Sequence, residues 1–163
     1  MTHQAKKIYT SGGFGLIEIV VGVSIISLAL MGTVFLGGSY EKLSRSTLAA
    51  VKAEFLLEEG VEGLRSMRDT GWQNIAWLVS GTSYFIDFNN GVYVATTSPQ
   101  IIDGVYTRTV TVASVYRDSN FRIVSNGGSL DNETKDVTIS IEWREGNATT
   151  TRSLRTYLAN LFE

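Results

Sequence analysis

The sequence predicts an α+β protein: a long N-terminal helix, membrane-spanning in its first half, followed by a C-terminal antiparallel β-sheet on which the helix packs. Three observations predict it. From Phe14 to Gly38 every residue but Glu18 is uncharged, and most are Val, Ile, Leu or Gly. No proline interrupts the chain from Phe14 to Asp69, the only proline being Pro99. After Gly71 the apolar pattern changes from helical spacing to alternation, the period of a half-buried strand.

At about 1.5 Å per residue, a helix over residues 14–38 reaches roughly 37 Å, enough for a hydrocarbon core of about 30 Å. A short leader, residues 1–13, precedes it and carries Lys6 and Lys7. It differs from a secretory signal peptide, because the apolar run exceeds the usual h-region and the Gly12-Gly13 step lies before the run. Residues 39–70 continue as an amphipathic helix. Leu43, Ala50, Leu57 and Leu64 recur at seven-residue spacing, with Thr47 and Val61 on the same side. Gly60 and Gly63 each cost a helix about 1 kcal/mol relative to Ala, so they mark either close packing on the sheet or fraying. Asp69-Thr70-Gly71 is the expected stop.

Residues 71–163 are expected to form the sheet. Trp72 to Val79 reads as a bridge with a short helix, its Trp72, Ile75, Trp77 and Leu78 covering one end of the core. Tyr84–Phe88 and Val92–Ala95 flank Asn89-Asn90-Gly91, a hairpin signature because Asn and Gly tolerate positive φ. Ser98-Pro99 ends the second strand. Val105 to Tyr116 alternates, valines to one side and threonines to the other. Residues 121–124 read as a short strand or the start of a loop, and the polar residues 125–134 as surface loop. Val137, Ile139, Ile141 and Trp143, alternating with polar residues, give the clearest strand. Glu145-Gly146-Asn147 turns it back. The last segment fits a strand or a helix; the short turn favours a strand.

Gly13-Phe14-x-Leu16-Ile17-Glu18 after a short basic leader resembles the processing site of type IV prepilins and type II secretion pseudopilins. The resemblance covers residues 6–36 strongly and the remainder as architecture, a pilin-like ladle. It implies cleavage between Gly13 and Phe14 by a membrane prepilin peptidase, N-methylation of Phe14, and a role for Glu18 in assembly. It also implies the partners: that peptidase, other pilin or pseudopilin subunits, an inner-membrane assembly platform, and membrane lipid before assembly. The expected location is the inner (cytoplasmic) membrane, single-pass with the sheet outside the cytoplasm, and then the filament. The start Leu16–Val21 and the threonine-rich closing hairpin look more like minor than major subunits. The departures are the helix without proline and the absence of Cys, which removes the disulfide that many pilins carry.

The composition bounds the chemistry. Removing the leader with its two lysines takes the net charge from −2 to −4, so there is no general attraction for nucleic acid. With no Cys, and the only histidine, His3, in the leader, the common base and nucleophile pairs are missing from the mature chain. Together with the structural subunit that the resemblance implies, the expectation is a chain with no catalytic residues, no cofactor and no metal. Asp118, Asn120, Asp131, Asn132 and Asp136 offer oxygen ligands such as calcium takes, and some pseudopilins bind calcium in such loops. Without a fixed-spacing motif, a solvated loop is the expectation here. Tyr93, Tyr106, Tyr116 and Trp143 are expected to pack on the sheet rather than form an exposed adhesive patch. The alternative function is a signal-anchored monomer whose exported β-rich domain binds a ligand or partner, uncut at Gly13.

Overall fold

A computed structural model describes residues 15–161 of the chain. The elements run α1 (Leu16–Thr70), α2 (Gln73–Ala76), β1 (Ser83–Asn89), β2 (Val92–Thr96), β3 (Ile101–Ile102), β4 (Tyr106–Arg117), β5 (Ile123–Val124), β6 (Ser129–Glu145) and β7 (Ala148–Ala159). The protein is α+β, a long helix and a seven-stranded antiparallel sheet. Two compact units meet inside α1, the boundary falling between Arg45 and Ser46.

In the second unit the sheet order is β2-β1-β4-β6-β7, with β3 and β5 also paired to β4. Short β1, β3 and β5 segments divide one edge of β4 between them, and β6 runs along its other edge. The β1–β2 hairpin closes on Asn90 and Gly91, with φ of 52° and 83°. Two consecutive positive φ values match the right-handed twist of the strands, which is why Asn-Gly stands there. Gly146 (φ 62°) closes the β6–β7 hairpin, and the last segment is a strand.

The inner face of the sheet follows from alternation. Tyr106, Val110 and Val112 on β4, Val137, Ile139, Ile141 and Trp143 on β6, and Leu158 on β7 are buried. Ala53, Leu56, Leu57, Val61, Leu64 and Met67 of α1 join them in one core. Each fully buried aliphatic side chain is worth about 1.5–3 kcal/mol relative to exposure. Gly60 and Gly63 are the points of close approach. A Cβ on Gly60 would lie 3.1 Å from Arg108 Cδ and 3.2 Å from Ile139 Cγ2, and one on Gly63 would lie 3.0 Å from Tyr93 Cδ1. Close packing, not fraying, accounts for both.

Three expectations need correction. Residues 129–134 are strand, not loop: Ser129, Leu130 and Asp131 pair with Arg117, Tyr116 and Val115, and the register shifts at Ser114/Val115. The bulge lets a polar segment continue the ladder, and β-propensity yields to that pairing. Leu43 is 65% exposed, so the covered stripe of α1 begins further along, near Ala49 and Ala50. Trp77 is half exposed and packs its ring edge-on against Tyr84 (centroids 5.3 Å), while Ile75 and Leu78 fill the core.

Candidate functional site: the uncovered apolar helix

The first unit contains the largest uncovered apolar surface among the described residues. Apart from the half-buried Gly22, every residue from Gly15 to Leu43 is exposed. These include Leu16, Ile17, Ile19, Val23, Ile25, Leu28, Met31, Val34 and Phe35. A monomeric soluble protein rarely exposes more than a few hundred Å² of contiguous apolar surface. The segment is long and apolar enough to cross a membrane.

Its few polar groups are arranged for an apolar medium. Ser24 donates to Val20 O (2.7 Å), Thr33 to Leu30 O (2.8 Å) and Ser39 to Phe35 O (3.1 Å). These three hydroxyls are satisfied within their own helix, as a lipid or protein-core environment requires. The charged residues resume at Glu41 and Lys42, just after the exposed Tyr40. An aromatic next to charges at the end of an apolar run suits a membrane–water interface. Glu41 and Arg45 pair there at 2.5 Å.

Glu18 is the single charge inside the run. Its Oε2 accepts the backbone N–H of Gly15 at 3.0 Å, while Gly15 O accepts the N–H of Glu18 (3.0 Å) and Ile19 (3.4 Å). Gly15 is the N-cap and Glu18 the third helical residue, so the carboxylate closes half of a capping box. It also lies at the positive end of the helix dipole, a placement worth about 0.3–1 kcal/mol at an exposed terminus. The carboxylate thus reaches the start of the helix rather than its middle. Gly13 and Phe14, the cleavage and methylation positions, lie outside the described residues.

The second unit places the remaining candidates. Tyr106 and Trp143 are buried with centroids 6.0 Å apart, Tyr93 is half-buried against Phe88, and Tyr116 alone of the four faces outward at 42% exposure. Three of the five oxygen-bearing residues considered for calcium, Asp118, Asp131 and Asp136, are engaged otherwise. Asp131 accepts from Arg117 Nε at 2.5 Å and Asp136 is bidentate to Arg155. Asp118 caps its own turn by accepting from the N–H groups of Asn120 and Arg122. Burial pushes the Asp131 carboxyl up, but hydrogen bonds from Arg117, Thr134 and the Glu133 N–H, with the Arg117 charge, outweigh it and hold the pKa below the usual range. Among the described residues no group of three or more His, Cys, Asp or Glu is placed to hold a metal.

Sequence reasoning missed two arrangements. Arg108 is buried beneath α1, donating to Leu56 O (3.2 Å) and Glu59 Oε1 (3.4 Å). Its parity with Tyr106, Val110 and Val112 on β4 was the available signal. The Gly15 cap was signalled by a glycine three residues before Glu18. No family model matches this chain, and no curated protein or solved structure matches it either.

Proposed function

We propose that this chain is a structural subunit, of the minor or tip kind, of a type IV pilus or type II secretion pseudopilus. In this reading prepilin peptidase removes residues 1–13 and methylates Phe14. The subunit waits in the inner membrane with its apolar helix in lipid and its sheet outside the cytoplasm. The assembly platform then moves the helix from lipid into a filament core of like helices, with no catalysis by the chain itself.

One observation carries the reading: the largely exposed apolar first part of α1, residues 16–40, whose only charge, Glu18, sits one turn from the helix start, five positions after the glycine of a prepilin-like motif. An ordinary anchor needs the apolar run, and the acid would serve it only as the cap on the Gly15 N–H. After cleavage the amine of Phe14 supplies a cation one turn away, in the same subunit or a neighbour. Exchange of lipid for helix keeps the apolar surface from water at every step.

The test is the sheared surface fraction of cells that make the chain. The account expects processed chain within filaments, and chain confined to the membrane in cells that do make filaments would count against it.

A further inference from the structure

The sequence holds two Asn-Gly steps, Asn90-Gly91 and Asn126-Gly127. Glycine after asparagine leaves its backbone nitrogen open to the asparagine side-chain carbon, because no Cβ stands beside it. The two steps share that chemistry and differ in how the fold holds them. Asn90-Gly91 is clamped. It is the two-residue turn of the β1–β2 hairpin, with Asn89 paired to Val92 next to it and four further pairs beyond. Asn90 is held at φ 52° and Gly91 at 83°. The five-membered ring that joins an asparagine side chain to the next nitrogen constrains the asparagine backbone to a conformation outside this left-handed turn. Ring closure at Asn90 therefore waits on local opening of the hairpin.

Asn126-Gly127 is not clamped. It lies in residues 125–128, which carry the chain from one edge of β4 to the other. Before them β5 pairs Val124 with Tyr116, and after them β6 pairs Leu130 with the same residue. The crossing itself pairs with no strand and is exposed throughout. Asn126 and Gly127 make no hydrogen bond to any described residue. A Cβ on Gly127 would meet nothing within 4 Å, whereas one on Gly128 would stand 2.5 Å from Arg117 O. The crossing is thus pinned at Gly128 and open at the Asn-Gly step.

We propose that Asn126 is a site of spontaneous deamidation in the folded protein, with water as the only co-reactant. The Gly127 backbone nitrogen gives up its proton to solvent and bonds to Asn126 Cγ. The Cγ–Nδ2 bond breaks, and ammonia leaves with a proton taken back from solvent. Water then opens the cyclic imide at one or other carbonyl, giving aspartate or isoaspartate at this position. Nothing is oxidised or reduced. Either product carries a carboxylate where a neutral amide stood. Isoaspartate also routes the chain through the former side chain, which adds one backbone atom to a short crossing whose far end is fixed at Gly128. The proposal rests on the sheet unit alone and stands whether or not the chain enters a filament.

The test ages the full chain in detergent, in heavy-oxygen water at mildly alkaline pH, where the backbone nitrogen is the better nucleophile. A second sample is aged in the same way but unfolded in guanidinium chloride. Peptide mapping by mass spectrometry reads the label taken up at each asparagine over time. In the unfolded sample the two Asn-Gly steps are expected to convert at similar rates. In the folded sample Asn126 should keep most of its unfolded rate. Asn90 should fall behind it by about tenfold or more, a barrier difference of about 1.4 kcal/mol. Asn126→Gln, which would need a larger ring, should remove the label from this position and leave the rate at Asn90 unchanged. No conversion at Asn126 in the folded chain, conversion of Asn90 at an equal or faster rate, or the same difference persisting in the unfolded chain would overturn the proposal.

Discussion

Glu18 Oε2 accepts the backbone N–H of Gly15 at 3.0 Å, so the only charge in the apolar helix closes the first turn of that helix. In the account proposed here, this contact is replaced when cleavage creates a new amine at Phe14. Glu18→Gln keeps an oxygen for the Gly15 N–H but removes the charge, and Glu18→Ala removes both. If the cap were the whole role, the Gln variant would assemble normally. We expect both variants to insert and to be cleaved largely as the parent is, and both to be depleted in sheared filaments relative to processed membrane protein. Normal incorporation of Glu18→Ala would show that the carboxylate does not guide assembly.

Gly60 is one of two glycines at which α1 closely approaches the sheet. Gly60→Val adds carbon atoms to a space in which even a Cβ would stand 3.2 Å from Ile139 Cγ2. Overpacking of this sort costs about 1–3 kcal/mol, against the roughly 1 kcal/mol that replacing glycine in a helix ordinarily returns at most. The expected result is a lower thermal midpoint for the sheet unit, read by circular dichroism. Gly22→Ala, with nothing within 4 Å of its added Cβ, should leave that midpoint unchanged.

Asp131 makes stability depend on acid. Its carboxyl has a pKa below the usual value, chiefly because the hydrogen bonds from Arg117, Thr134 and the Glu133 N–H exceed the opposing effect of burial. A depressed folded-state pKa gives stability that is fully present above the unfolded value, about 3.9, and is lost as pH falls through the folded one. Acid titration of the melting temperature should therefore show a fall below about pH 4, and Asp131→Asn should flatten part of it. An equal fall in the variant would remove Asp131 from the explanation.

The Asn90-Gly91 turn should be sensitive at its second position. Gly91 has φ of 83°, a conformation that costs an L-residue roughly 1–2 kcal/mol. Gly91→Val should destabilise the β1–β2 hairpin by about that amount in chemical denaturation. Substitution without effect would mean that the hairpin adopts another turn.

Most of the architecture was legible where local pattern and tertiary burial agree. Val137, Ile139, Ile141 and Trp143 alternate in sequence and are all buried, and Asn90-Gly91 announces its turn by residue type. Residues 129–131 were not legible, because a polar stretch becomes strand only by pairing with β4 residues 115–117 beyond a bulge. Leu43 continues the heptad spacing of Leu57 and Leu64, but periodicity does not reveal where the covering sheet ends. Burial of Arg108 depends on Gly60 and the Leu56 carbonyl above it, a pairing of distant segments. At the candidate site, the placement of Glu18 near the helix start was legible from spacing, whereas its contact with the Gly15 N–H is a matter of side-chain rotamer.

The measurement that bears most directly on the prepilin-type reading is the intact mass of the full-length gene product extracted from membranes. The account predicts a mature chain that begins at Phe14 and carries one added methyl group on its amine. It also predicts that replacing Gly13 with a bulky residue leaves the precursor uncut. A chain in the mature membrane fraction that still begins at Met1 would contradict it.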